Sequence, residues 1–325
     1  MSRRSTLLAL SACLAALAGL APAVRAADWP AKPVTLVVPF PPGGSTDAVA
    51  RLIAQRLGAR LGQQVVVDNK AGAAGNLGTD AVAKALPDGY TLALTTSGPL
   101  ANNKYLYKAM PFDAAKDLTP IVLVGEIPLV VAANPGVKAN NLKQFLDDAR
   151  GNGGRATIAN PGNGTIGHLA AKLVQSVANV EATDVPYKGD TPAMTDLMGG
   201  TVDAVSAPIT AFVANIQAGK LKGLAVMSKK RFPLLPGVPT AIEQGLDIEA
   251  SVWFAIVGPA RLPAAVVSRL NAEINAILAM PDVRERFEQY GATAAGGTPQ
   301  DLASHMASDS AKWKKVIDSA RITLD

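Results

Sequence analysis

The chain has 325 residues, 18% of them charged, a single cysteine and a formal net charge of +5. That length allows two domains. Cys13 and three of the arginines (Arg3, Arg4, Arg25) lie in the first 26 residues; without them there is no disulfide, thiol nucleophile or thiolate metal site, and the charge is too near balance to suggest nucleic acid.

The opening segment reads as an export signal. Arg3 and Arg4 form a basic start, Leu7 to Ala23 is an apolar run, and Val24-Arg25-Ala26 is an acceptable small-residue cleavage site. Cleavage is expected after Ala26. Ser2 to Leu7 loosely resembles a twin-arginine signal and Leu10 to Cys13 a lipobox; plain soluble export ranks above a lipoprotein. No later run of some 18 uncharged apolar residues predicts a membrane span.

Leu36 to Val38 predicts a buried strand, which Pro39, Pro41 and Pro42 stop. Gly43 and Gly44 follow, then Ser45 and Thr46 as candidate N-caps. Val49, Leu52, Ile53 and Leu57 recur on one helical face. A strand, a bare glycine loop and a helix start bring amide hydrogens and a positive dipole end together, which suits an anion, although an ordinary βα turn has the same form. Asp47 in the first turn favours the dipole and would repel a carboxylate placed directly against it. A bound acid there is expected to be separated from Asp47 by water or backbone amides.

Gln64 to Val67 predicts a strand, Asn69 to Gly78 a second glycine-rich loop, Thr79 to Ala85 a helix and Tyr90 to Thr95 a strand. Strands alternating with helices imply a mostly parallel α/β sheet covered on both faces, with ligands beyond the carboxyl ends of strands. The loops Phe40–Ser45 and Thr96–Gly98 both follow strands and are expected to share a cleft. Ile121 to Ala133, interrupted by Pro128, reads as two strands passing between lobes.

Leu142 to Ala149 is an amphipathic helix, Thr157 to Ala159 a strand and Asn160 to Gly164 a loop. From Thr165, a candidate N-cap, Ile166, Leu169, Ala170, Leu173, Val174 and Val177 keep a helical period. This is a second anion-suited unit. Strands at Thr183–Tyr187, Val202–Val205 and Leu221–Val226 alternate with helices at Pro192–Met198 and Ala211–Ala218. Met227 to Pro239 is loop-like, Ala250 to Val257 is a return crossing strand, and three helices follow: Pro263–Ala279, Pro281–Tyr290 and Thr298–Ser319.

Gly162-x-Gly164-x-x-Gly167, with Asp184 about 20 residues on, formally matches a dinucleotide fingerprint, but a lone match in an exported chain is weak. Neither glycine loop carries the Gly-Lys-Ser/Thr of a phosphate P-loop. His168 in the second unit is expected to contact its own loop or a ligand, and His305 to lie on a helix surface. They are not spaced as metal ligands. No GxSxG elbow occurs, and Ser45 and Ser97 have no base evident in sequence. Tyr187 and Trp253 read as cleft or core, and Asp203 is equally ambiguous.

Five segments together resemble the tripartite tricarboxylate transporter substrate-binding proteins, the Bug/TctC family. They are VPFPPGGSTDAVARLIAQRL, NKAGAAGNLGTDAVAKALPDGYTLAL, ANPGNGTIGHLAA, VPYKGDTPAMTDLMGGTVDA and LKGLAVMSKKR with LPGVPT after it. The resemblance runs through essentially the whole chain after the leader. It implies a type II periplasmic-binding-protein fold, two α/β lobes joined by two crossing strands with the ligand cleft between them. The lobes fall at 27–128 with 251–325, and at 129–250, after the signal peptide at 1–26. It implies a non-enzymatic, monomeric periplasmic receptor that binds a small carboxylate and passes it to integral membrane transporter subunits, with no catalytic residue, cofactor, metal or nucleic acid. The family's carboxylate loop falls on Phe40, Pro42, Gly43, Gly44, Ser45 and Asp47. The opposing helix start falls on Asn160, Gly162, Asn163, Gly164, Thr165 and His168, with side contributions expected around Ser97 and from Asp203 to Ala207; Gly98, next to Ser97, and Tyr187, read above as cleft or core, are further candidate site residues. An exported enzyme and a sensor or accessory binding module on the same scaffold are the alternatives.

Overall fold

A computed structural model describes residues 29–324 apart from 152 and 154. The leader and its cleavage site lie outside the described residues.

Among the described residues ten strands form one sheet: β1 (Val34–Val38), β2 (Val65–Asn69), β3 (Thr91–Thr96), β4 (Leu118–Ala133), β5 (Thr157–Asn160), β6 (Thr183–Pro186), β7 (Ala204–Pro208), β8 (Lys222–Val226), β9 (Ser251–Pro259) and β10 (Thr293–Ala294), with β8 and β10 each branching from β4 off the main path. The longer helices are α1 (Ser45–Leu61), α2 (Asn76–Ala83), α3 (Leu142–Gly151), α4 (Ile166–Ala178), α5 (Asp190–Gly199), α6 (Ala264–Leu278), α7 (Pro281–Gln289) and α8 (Pro299–Ala320).

The segment 121–133 is not two strands. It belongs to one strand of 16 residues that pairs with β9 along Leu118–Pro128 and with β7 and β8 along Leu129–Ala133. Pro128 sits where one set of partners gives way to the next, so its missing N–H interrupts no ladder. β4 therefore belongs to both lobes. The first lobe has strand order β2-β1-β3-β9-β4, with the short β10 added beyond β4, and the second β6-β5-β7-β4-β8. The two orders are the same pattern, with one crossing strand inserted in each. α1 after β1 and α4 after β5 thus occupy equivalent places in the two lobes.

Alternation along the strands sorts the core. Val34, Leu36 and Val38 pack in one cluster with Val49, Ile53 and Leu57 of α1 and Leu270 and Ile274 of α6, while Val37 faces the other layer with Trp253 and Met306. In the second lobe Leu142, Phe145, Ile158, Leu169 and Val174 form the core beneath α3 and α4. α8 opens with a capping box at Thr298 and Asp301. Its 22 residues span roughly 33 Å. Its start, Leu302 and Met306, is buried in the first lobe, and its end, Trp313, Val316 and Ile317, is buried with the second lobe's core. His305 is not a free surface group: its ring meets Trp253 edge-on at 4.9 Å.

Candidate functional site

Residues 41 to 45 of the β1–α1 loop are exposed, while Thr46 and Asp47 are buried behind them. Neither Ser45 nor Thr46 is the N-cap. Gly44 is, in an extended conformation, and α1 starts at Ser45 with no side-chain cap over its first amides. Those N–H groups and the dipole end face outward. Gly43 holds φ +87°, which favours glycine.

Asp47 is a brace for this loop. One oxygen accepts from Gly43 N at 2.9 Å and Arg51 Nε at 2.8 Å, and the other from Asn69 Nδ2 at 3.0 Å. Asn69 Nδ2 also donates to Phe40 O at 3.1 Å. The Arg51 hydrogen bond, helped by the Gly43 and Asn69 amides against the opposing effect of burial, lowers the Asp47 pKa to about 2. Both oxygens are thus engaged inside the loop. Arg51 and Asn69 escape a reading of the glycine motif alone, since one lies a helical turn on and the other on the neighbouring strand.

The two glycine-rich loops of the first lobe meet the β3 loop. A Cβ on Gly75 would lie 2.9 Å from Pro99 and 3.0 Å from the Phe40 ring, so the loops after β1, β2 and β3 converge there. Ser97 is buried, and Gly98 begins a short π-helix through Asn102.

In the second lobe, Thr165 caps α4. Its hydroxyl accepts from His168 N at 3.3 Å and donates to Gly162 O at 2.7 Å, so its proton is already engaged. His168 Nδ1 accepts from Gly164 N at 3.1 Å. Burial, with Lys172 assisting and Asp184 opposing, pushes the His168 pKa down and keeps the ring neutral. Asn160 is fully buried; its Oδ1 accepts from Gly162 N at 3.1 Å and its Nδ2 has no protein partner. Asn163 is the exposed tip. Tyr187 ties its N–H to Asn160 O at 2.9 Å and its hydroxyl to Asp196 at 2.7 Å; burial first and Asp196 second raise its pKa to about 12.

Asp203 is not beside these loops. Its carboxylate takes Thr157 N and Thr157 Oγ1, each at 2.8 Å, at the opposite end of β5 from Asn160. Ala207 is fully buried, facing the layer opposite α4. Its neighbour Ser206, inside the stretch 203–207 that the resemblance marks, is fully buried with Oγ unpartnered. The β5–β7 register, Ile158 with Ala204 and Ala159 with Val205, sets Asn160 beside Ser206. Apart from the resemblance, nothing in the sequence distinguishes Ser206 from a core residue. Asp190, first in α5, also keeps one carboxylate oxygen buried without a partner, and burial raises its pKa.

The dinucleotide pattern does not operate. Asp184 pairs with Lys172 and accepts from Gln175, and Gly167 is small because α4 lies directly on Pro161 and Ser206. Among the described residues no group of three or more His, Cys, Asp or Glu could hold a metal ion, and no helix is long and apolar enough to cross a membrane.

Residues 49–322 match the family described as tripartite tricarboxylate transporter family receptor. The chain is 39% identical to the protein BugT of Bordetella pertussis, covering 96% of both chains. Among solved structures it resembles Rpa4515 of R. palustris with adipate (36% identity, TM-score 0.78, covering 91% of this chain and 100% of that one). It also resembles MatC of Rhodopseudomonas palustris with bound malate (32% identity, TM-score 0.73, covering 89% and 100%). With a family match over most of its length and the two-lobe fold those structures share, the chain belongs to the tripartite tricarboxylate transporter receptor family.

Proposed function

We propose that this protein is a periplasmic receptor that captures a small organic dicarboxylate between its lobes and hands it to the membrane subunits of a tripartite transporter. One observation carries the reading: the two lobes present equivalent strand–glycine loop–helix units, β1–α1 and β5–α4, whose loops contain no lysine or arginine. Such loops offer backbone N–H groups and two helix dipoles, with Asn160 Nδ2 and Ser206 Oγ as further polar groups that lack a protein partner. The adipate and malate of the two relatives are acids of this class. The exchange of β4's partners after Pro128 and the start of β9 at Ser251 support placing the lobe boundaries there. The leader ending near Ala26 supports export, and we expect the working form to be a monomer.

In this reading Asp47, Thr165 and His168 shape the two loops, and the uncommitted amides at the starts of α1 and α4 hold the acid. Hydrogen bonds to a charged group contribute about 1.5–3 kcal/mol each. Several together reach the roughly −8 kcal/mol of micromolar binding. The test is calorimetry with malate, succinate and adipate on the parent and on Gly44→Asp. A Cβ at Gly44 has no neighbour closer than 3.9 Å, so that variant adds negative charge with little steric disturbance. Binding to the parent and at least a tenfold loss in the variant are expected. If Gly44→Asp folds and binds like the parent, the acid is not held at this loop.

A further inference from the structure

Away from those loops, the two lobes line a cavity of about 240 Å³. The segment after β8 contributes Phe232, Pro233 and Leu234. The first lobe contributes Arg284 and Glu288 of α7, with residues 292–294 around β10. None of these belongs to the loops at 40–47, 96–99 or 160–168.

The walls and the mouth differ in chemistry. Phe232 and Ala292 are buried and, with Pro233, Leu234 and Ala294, give an apolar interior. Arg284 and Glu288 are exposed and lie four residues apart, one helical turn, on the same face of α7. Arg284 Nε donates to Leu278 O at 3.3 Å. Among the described residues its terminal nitrogens and the Glu288 carboxylate have no hydrogen bond or ion pair. Arginine preceding glutamate is also the poorer order for a helical i, i+4 pair. The mouth therefore offers one cation and one anion, side by side and free, above an apolar pocket.

We propose that this cavity binds a zwitterionic α-amino acid with an apolar side chain. The Arg284 guanidinium takes the carboxylate through its planar fork. Glu288 takes the ammonium, and the side chain displaces water from the apolar walls. A simple carboxylate would meet Glu288 and a simple amine would meet Arg284, so only the zwitterion is attracted at both ends. Size agrees, because a cavity of about 150 Å³ already accepts benzene. The inference stands apart from the carboxylate reading of the cleft, since it shares no residue with it.

The test is calorimetry on the full chain with L-leucine and L-phenylalanine. 4-Methylpentanoate lacks the ammonium and isoamylamine lacks the carboxylate. Saturable binding of at least one amino acid is expected, with both truncated probes weaker by roughly tenfold or more. Arg284→Gln and Glu288→Gln, both at exposed positions, should each lose about tenfold or more. Thr293→Trp, which fills the cavity from an exposed strand position, should remove the signal while melting stays cooperative. The proposal is overturned if neither amino acid binds, as would follow if Arg284 and Glu288 pair only with each other in solution. It is equally overturned if 4-methylpentanoate binds as well as leucine, or if the three variants bind like the parent.

Discussion

The carboxylate of Asp47 accepts the backbone N–H of Gly43 at 2.9 Å, and the +87° φ of that glycine closes the turn between them. The loop proposed to face the ligand is therefore held from behind by a helix residue four positions on. Asp47→Ala leaves the Gly43 and Asn69 amides without their acceptor, so it should cost about 1–3 kcal/mol and weaken dicarboxylate binding. The folded pKa of about 2 lies below the ordinary 3.8. The stabilisation is then full above pH 3.8 and is lost as pH falls through about 2. Melting temperatures from pH 6 to pH 2 should show the parent and variant converging at the acid end; a constant gap would contradict this.

His168 gives a second pH dependence of opposite chemistry. Its neutral Nδ1 accepts the Gly164 N–H, and its folded pKa lies below the usual 6.5. Because the unfolded chain takes up this proton first, stability is full above pH 6.5 and declines as pH falls below it. Protonation also removes the acceptor that shapes the second loop. NMR titration should place the His168 midpoint below 6.5, and dicarboxylate affinity should fall as the ring protonates. A midpoint at or above 6.5 would count against the assignment.

Gly167 brings α4 onto β7. A Cβ there would lie 2.6 Å from both Pro161 Cδ and Ser206 O. Gly167→Ala should therefore push the start of α4 away from the sheet, at a cost of about 1–3 kcal/mol. Affinity should drop as well, because the displaced turn carries the second set of amides. Denaturant melts and calorimetry on the same preparation check both effects; a variant as stable as the parent would show that the contact is looser than it looks.

Trp253 on β9 donates its indole N–H to Asp309 on α8 at 2.8 Å, in a buried setting. Asp309 also pairs with Lys312 at 2.6 Å. Asp309→Ala leaves the indole donor unpaired next to a crossing strand and should cost about 1–3 kcal/mol. Trp253 fluorescence should change alongside the loss of stability. An unchanged midpoint would mean that water replaces the carboxylate.

Periodicity made the alternating strands and helices legible, and glycine content marked the loops that follow β1 and β5, because those signals are local. What escaped was set by partners distant in sequence. Pro128 looked like a break, yet it coincides with the handover from β9 to β7 and β8, which only the pairing reveals. Ser206 and Asp203 lie three residues apart, but strand geometry sends one to the end of β7 beside Asn160 and leaves the other at the far end against Thr157. Thr165 was legible as a cap; that its hydroxyl proton is taken up by Gly162 O was not. α8 looked like a first-lobe helix because its second-lobe contacts come only from its final turns.

The insertion of β9 between β3 and β4 has a consequence for how the chain is made. By the time residue 133 is synthesised, β1 to β4 exist but the strand that joins β3 to β4 does not. Until residues 251–259 arrive, β3 and the first half of β4 each present an open edge, the kind of surface that pairs with other chains. The second lobe, built from the continuous stretch between the crossings, has no such wait apart from the end of α8. During synthesis or translocation the later-starting lobe can thus assemble while the earlier one is still an unfinished sheet, and slow delivery of β9 is the step at which aggregation competes with folding.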